Sequence, residues 1–280
     1  GILRIWLAAA YWGMVQWYIK GWAILPACPP LNPNADIFIS VVVVARNEAE
    51  RIGPLLQVLK EQTYPVARYE ILLVDDHSED HTVELVQRAG LPNLRSIRLA
   101  DYDKQGEKVV SWKKRGIETA VVQAQGGLIA VTDADCRPGP AWLQTFASSY
   151  DAFRPAFMAG PVQATGGNSV LETFQRLELA GLMIAAGGAI GQRQPQSANA
   201  ANMVFEKAAF EAAGGYASSR HIASGDDLFL LHSMARREER RIAFLPCREA
   251  VVSTPAEPTV GQWWQQRLRW AAKTSRYRHP

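Results

Sequence analysis

Two carboxylates at i and i+2, Asp133 and Asp135, close the apolar run Leu128-Ile-Ala-Val-Thr and precede Cys136. Residues two apart on an extended chain point the same way, so both acids leave the strand end on one side. At an effective dielectric of about 20, two unit charges 4 Å apart repel by roughly 4 kcal/mol. Such a pair needs a cation, a shared proton or separation. One reading is a divalent metal held at a strand's C-terminal end against a phosphate ligand. The other is a turn in which one Asp caps the next helix and its neighbour is solvated. A second acidic pair, Asp226-Asp227, follows Ser224-Gly225 and opens an amphipathic helix carrying Leu228, Leu231 and Met234. Acids in a first helical turn are also ordinary compensation of the helix dipole.

The elements that position these acids follow from periodicity. Residues 38–45, 69–74, 94–99 and 128–132 are apolar runs of strand length, the first β-branched and without alternation, as in a central parallel strand covered on both faces. Helical spacing separates them: Ile52, Leu55, Leu56 and Leu59, then roughly 82–89 and 107–123, with Asn47 and Glu50 as a cap and its N3 partner. Alternating strands and helices predict a doubly wound α/β sheet. In such sheets ligands bind beyond the strands' carboxyl ends, where Arg46-Asn47-Glu48, Asp75-Asp76 and Asp133-Ala-Asp135 all fall. No Gly-x-Gly-x-x-Gly follows the first strand and no Walker loop is present, which disfavours a dinucleotide-binding domain and a phosphate loop.

Further along, 157–162 reads as a strand and 168–188 as a long helix with Leu171, Phe174 and Leu177 on one face. Residues 187–196, rich in Gly and Gln, read as a flexible loop, and Asn199-Ala-Ala-Asn202 leads into a short strand. Strands at 242–245 and 250–253 precede a last amphipathic element, 259–276. There Val260, Trp263, Trp264, Leu268 and Ala271 oppose Gln262, Gln266, Arg269, Lys273 and Arg276. Trp-rich faces with basic flanks suit a membrane surface, and core packing is the other reading.

The chain opens at Gly1, as an excised fragment would. Residues 5–19 are apolar except Gln16, with four Trp and two Tyr between Trp6 and Trp22. The run reaches spanning length only when counted through Lys20. The expectation is a membrane-embedded helix within 1–28, with a buried or interfacial helix as the alternative, and a Pro-rich linker at 29–36. A formal charge of +3 over 280 residues gives no global field for nucleic acid. Cys28, Cys136 and Cys247 lie far apart without metal-ligand spacing and predict a reducing compartment rather than a disulfide framework.

Taken together, Ile39-Ser-Val-Val-Val-Val-Ala-Arg-Asn-Glu48, Val74-Asp-Asp-His-Ser78, Thr132-Asp-Ala-Asp-Cys136, Ser224-Gly-Asp-Asp227 and Gln266-Arg-Leu-Arg-Trp270 occur in the order found in family 2 glycosyltransferases. Over about 37–275 the chain resembles these nucleotide-sugar enzymes of GT-A fold, which include membrane-bound polysaccharide synthases. The resemblance implies a mostly parallel mixed sheet flanked by helices, with a catalytic domain at 37–258. Its nucleotide-binding half would be 37–136 and its acceptor half 137–258, followed by the Gln-x-x-Arg-Trp helix in 259–280.

It also implies roles. Asp135 and Asp133 would hold Mg2+ or Mn2+ against the diphosphate, with Lys108 as a second cation. Asp76 would accept from the base imide, Asp75 or Glu48 would contact the ribose, and Ala45 and Asn47 would border the nucleotide. Asp227, beside Asp226, would be the general base. Gln266 and Arg269 would meet the diphosphate, Trp270 would stack near the acceptor, and Asn199 and Asn202 would line the sugar pocket. The implied reaction is inverting transfer from a nucleotide sugar, a UDP-sugar foremost, to a glycan or lipid-linked acceptor. Lys20 and the basic C-terminal end fit the cytoplasmic face of the inner membrane.

Two features depart from the family's pattern. Ala200 stands where a Gly is frequent, and the chain stops at Pro280 where relatives continue into further membrane helices. Two rival functions use similar parts. A nucleotidyltransferase would carry a glycine-rich loop after the first strand, which Ala45-Arg46-Asn47-Glu48 is not. A non-catalytic nucleotide- or glycan-binding module would not need every charged residue the chemistry requires.

Overall fold

The chain, described here from a computed structural model over residues 2–103, 108–238 and 241–274, is built around β1 (Ile39–Ala45). Its run of valines is buried on both faces, with only Val44 partly open. β2 (Tyr69–Asp75) and β4 (Leu128–Asp133) pair with it in parallel, one on each side. β3 (Leu94–Arg98) extends the sheet beyond β2. On the other side β8 (Met203–Glu206) runs antiparallel to both β4 and β6 (Phe157–Ala159), and β9 (Ile242–Phe244) pairs with β6 in parallel. The order is β3-β2-β1-β4-β8-β6-β9. A second sheet places β10 (Val252–Pro255) between β5 (Arg137–Pro138) and β7 (Val162–Thr165). The run 157–162 therefore splits between two sheets rather than forming one strand.

The helices are α1 (Ile2–Ala23), α2 (Ile52–Lys60), α3 (Thr82–Arg88), α4 (Trp112–Gln123), α5 (Trp142–Phe153), α6 (Val170–Gly191), α7 (Lys207–Ala212), α8 (Asp226–Glu238) and α9 (Val260–Thr274). The α/β architecture with a mostly parallel mixed sheet is the expected one. Glu107, residues 239–240 and Arg276 lie outside the described residues.

Asn47 does not cap a helix with Glu50. α2 starts at Ile52 after Arg51, and the Asn47 side chain instead accepts from the Glu79 N–H. Residues 187–191 are not a flexible loop but the last turn of α6, and their glycines are required by α1. A Cβ on Gly21 would lie 1.9 Å from the Gly188 carbonyl oxygen, and one on Gly191 would lie 2.0 Å from the carbonyl oxygen of Gly21. Backbones this close exclude any side chain. Trp22 fills the space over Gly187 and meets Phe244 at 5.5 Å between ring centroids.

The N-terminal expectation is corrected accordingly. Among the described residues no helix is long and apolar enough to cross a membrane. The C-terminal turns of α1 pack on α6, while Ile2 to Trp12 expose large apolar side chains, Trp6 among them at 70%. The cysteine expectation is also corrected: Cys28 and Cys247 form a disulfide, tying the proline-rich segment to the loop after β9, and Cys136 is buried and free.

Candidate active site

Parallel pairing brings the polar strand ends together. Ala45 stands opposite Asp75 on one side of β1, and Val44 opposite Asp133 on the other. With strands about 4.8 Å apart, Asp75 and Asp133 are separated by roughly 10 Å across β1, the scale of a nucleoside diphosphate. The loops here are cross-braced. The Asp76 N–H donates to the Ala45 carbonyl, the Asn47 N–H to Ser78 Oγ, the Glu48 N–H to Thr82 Oγ1, and the Ser78 N–H to Asp75 Oδ1. Asn47 and His77 adopt positive φ to make these turns. His77 joins Asp76 and Asp103 through its two ring nitrogens, at 3.0 and 2.8 Å, and meets Trp112 edge-on at 4.6 Å. Hydrogen bonds from Asp76 and then Asp103 raise the His77 pKa.

The remaining acids share a cavity of about 630 Å³ beside the sheet, lined among others by Asp133, Asp135, Asp226 and Asp227. Gly225, at φ 80°, makes the left-handed turn that sets Asp226 and Asp227 at the start of α8. Asp226 is buried, and Asp227 is half-buried with Oδ1 accepting from the Leu228 N–H. The Lys113 ammonium donates to Asp133 Oδ1 at 2.6 Å and lies 3.3 Å from Asp226 Oδ2. Burial alone would lower its pKa, but Asp133, Asp226 and Asp227 together raise it, so Lys113 stays charged.

Burial, then the nearby Asp133, pushes the Asp135 carboxyl pKa up. Burial likewise raises that of Glu48 over the opposing pull of Arg51, with Asp135 and Asp133 adding to the rise. An excess of carboxylate gathered in little water is the condition a divalent cation relieves. Donor atoms of Asp133, Asp135 and Cys136 lie within 4.8 Å of one another. Burial holds the Cys136 thiol protonated, so the two carboxylates are the ligands suited to a hard cation such as Mg2+ or Mn2+.

α9 closes the cavity with Gln266, Arg267, Arg269 and Trp270. Arg267 donates to Glu178 of α6 at 2.8 Å and lies over the Trp270 ring at 4.1 Å. Trp263 packs edge-on against Phe174 and donates to Glu178, whereas Trp264 is exposed. Trp263 thus follows the packing reading of that helix. Gln266 donates to Glu257.

Two placements differ from expectation. Lys108 is exposed and borders a separate shallow depression with Arg115, Glu118 and Arg220, so the cation beside the acids is Lys113. Asn199 does line the cavity, its side chain capping the short turn at Ala201. Asn202 does not. It is fully buried, accepting from Trp142 Nε1 and donating to the Pro161 and Ala250 carbonyls. Its polar groups are consumed by the scaffold and cannot reach a sugar. Sequence reasoning also passed over Arg267, Tyr18 and Gln196, which line the cavity.

A model of glycosyl transferase family 2 matches residues 40–212, more than half of the chain. The chain belongs to glycosyl transferase family 2. Glycosyltransferase AglE of Haloferax volcanii is 32% identical over 128 residues, 46% of this chain and 40% of that protein. Beta-monoglucosyldiacylglycerol synthase of Synechocystis sp. is 25% identical over 243 residues, 83% of this chain and 47% of the synthase. The chain thus spans less than half the length of these two curated relatives. Mannosyltransferase PcManGT from Pyrobaculum calidifontis, solved with GDP-Man and Mn2+, shares the fold at TM-score 0.67 and 19% identity, over 99% of this chain and 76% of that one. S. aureus TarS in complex with UDP shares it at TM-score 0.57 and 19% identity, over 79% and 61%. The family 2 chain therefore carries the GT-A architecture that its motifs implied.

Proposed function

We propose that this family 2 chain transfers a sugar from a nucleoside-diphosphate sugar, a UDP-sugar foremost, to a hydroxyl of a glycan or lipid-linked acceptor, with inversion. The carrying observation is that Asp135, on the donor side, and Asp227, at the start of α8, line one cavity although 92 positions separate them in the chain. The acceptor oxygen forms a bond to the anomeric carbon as the bond to the diphosphate oxygen breaks. Asp227 takes the hydroxyl proton, a contribution on the order of 10²–10⁴-fold. Base and ribose lie across the ends of β1 and β2, against Asp75, Asp76 and Glu48. Lys113, Arg269 and Gln266 meet negative charge on the diphosphate, and Trp270 borders the acceptor. Mg2+ or Mn2+ held by Asp135 and Asp133 would neutralise charge on the leaving group.

The solved complexes of fold relatives with GDP-Man and Mn2+, and with UDP, support this choice of donor and ion. Relatives named as a glucosyldiacylglycerol synthase, a chondroitin synthase and a dolichyl-phosphate glucosyltransferase support both acceptor types. The exposed apolar residues of α1, with Trp264 and Leu268, support work at a membrane surface.

The test measures nucleoside diphosphate released from a panel of nucleotide sugars by the parent and by Asp227→Asn. Turnover with at least one donor, lost at least 10²-fold in the variant with donor affinity within about threefold, is expected. Equal loss of binding would show that Asp227 is not the base.

A further inference from the structure

Beside Lys113, whose ammonium faces the acids, Lys114 is buried at 1% exposure. An ammonium taken out of water is costly unless its hydrogens find acceptors, and Lys114 finds them on one segment. Its Nζ donates to the Ser219 carbonyl at 2.9 Å and to the Ile222 carbonyl at 3.1 Å. The Phe229 ring of α8 closes over the same atom at 4.8 Å, and the Tyr216 ring stands 5.8 Å away. All four of these partners lie within 216–229, the stretch that carries Asp226 and Asp227.

Little within that stretch holds it in place. From Tyr216 to Ile222 it joins neither sheet. Its backbone bonds are short turns, from the Ser219 N–H to the Tyr216 carbonyl and from the Ile222 N–H to the Ser219 carbonyl. The longer ties come from α4. Glu118, one turn beyond Lys114 on the same face, accepts from the Tyr216 N–H at 3.2 Å and from Arg220 at 3.0 Å. α4 is itself seated on the sheet. A Cβ on Gly116 would lie 2.9 Å from Val44 Cγ2 and 3.4 Å from Val74 Cγ1, so the helix rests directly on β1 and β2. Lys113 reaches Asp133 and Asp226 from this fixed support, and Lys114 and Glu118 hold the turn that leads to Asp227.

We propose that Lys114 is a positioning residue for the base: by holding the Ser219 and Ile222 carbonyls against α4, it sets how Asp227 stands to the bound donor. It does so from outside the cavity, whose lining does not include it. This rests on the transferase reading with Asp227 as base. A base takes a proton only from within about 2.6–3.2 Å, and a misplacement of about 1 Å costs on the order of 10²-fold. Without the ammonium the two carbonyls lose their tie to α4 and the turn shifts, while the strand ends that face the donor stay where they are.

The test is a double-mutant cycle on the full chain, with the donor that the parent turns over. It pairs Lys114→Met, which keeps the length and apolar bulk of the side chain, with Asp227→Asn. Lys114→Met alone is expected to lower kcat at least about tenfold, with donor affinity by calorimetry within about threefold. In the Asp227→Asn background it should lower the residual rate by less than about twofold, because no base is left to position. A merely structural lysine would lower both rates by the same factor. Lys207→Met is the control. Its ammonium also holds a carbonyl, that of Ala124 at 2.8 Å, but at the far end of α4, so kcat should stay within about threefold. If Lys114→Met does not fold, Glu118→Gln loosens the same segment through the exposed Arg220. It should lower kcat about threefold or more in the parent and leave Asp227→Asn unchanged. Unchanged kcat, equal factors in the two backgrounds, or a loss of donor affinity that matches the loss of kcat overturns the proposal. A parent that turns over no donor sinks the transferase reading, and an Asp227→Asn variant at full rate sinks the base; either takes the role of Lys114 with it.

Discussion

Lys113 and Asp133 meet at 2.6 Å, and the same ammonium stands 3.3 Å from Asp226. One cation thus joins the donor-side strand end to the helix that carries the candidate base. Removing it leaves like charges facing each other and one positive charge fewer where a diphosphate departs. Lys113→Ala is expected to lower kcat/KM by about 10²-fold or more, the scale of one lost electrostatic contact to developing charge. Lys108→Ala, at an exposed position outside the cavity, should stay within about threefold. Steady-state kinetics of the two variants decide between them, and similar losses would return the role to Lys108.

The metal assignment makes a separate claim. Asp135 is held partly out of water beside Asp133, so it gains most from a bound cation. Nucleotide affinity measured by calorimetry should fall at least tenfold when Mn2+ is replaced by EDTA. In Asp135→Ala that difference should disappear, with metal-free affinity little changed. A parent that binds nucleotide equally well without metal would sink the assignment.

His77 gives the site a pH dependence of known sign. Its partners Asp76 and Asp103 raise its folded-state pKa above the ordinary imidazole value of about 6.5. The stability it contributes is therefore complete below that value and is lost as pH rises through the raised one. Denaturant midpoints of the parent and His77→Gln should differ most near pH 6 and converge in the alkaline range. A gap that widens with pH would show that the imidazole is neutral in the fold.

How much of this was legible in the sequence depends on how far apart the partners lie. The run Ile39–Ala45 announces a strand buried on both faces because that fact is local. The acids at the ends of β2 and β4 are legible for the same reason, since a strand end and its carboxylates are neighbours. Lys113 was not legible. Lys114 follows immediately, about 100° further round the helix, and is buried with its ammonium on the Ser219 and Ile222 carbonyls. Composition cannot say which of two adjacent lysines faces the acids; the helix phase decides it. The glycines at 187–191 looked flexible because their reason lies some 170 positions earlier, in the backbone of α1. The Cys28–Cys247 pair, 219 residues apart, was hidden in the same way.

Asn202 shows how a polar residue near a site can belong to the scaffold. Its three hydrogen bonds join α5, the segment after β6 and the turn before β10. Asn202→Ala would leave one buried donor and two buried acceptors without this partner, each costing about 1–3 kcal/mol where nothing replaces it. A stability loss of about 3 kcal/mol or more by urea denaturation is expected, against less than about 1 kcal/mol for Asn199→Ala. Comparable small losses, with a change in donor KM for Asn202→Ala, would restore it to the sugar pocket.

The seating of α1 is the last point open to direct trial. If that helix were a detachable anchor, its removal would leave a better-behaved domain. The contact with α6 predicts the opposite, because Gly21, Gly188 and Gly191 bring the two backbones together and Trp22 covers Phe244. A Cβ on Gly188 would stand 2.3 Å from the Tyr18 carbonyl oxygen, and backbone cannot move aside as a flexible side chain can. Gly188→Val should therefore destabilise the chain by about 1–3 kcal/mol or more. It should also speed tryptic cleavage at Lys20, as the helix lifts away. Gly181→Val, on the same helix but with nothing within 4 Å of the added carbon, should do neither. Equal behaviour of the two variants would mean that α1 does not rest on α6 in solution, and Tyr18 would then be lost as a wall of the cavity.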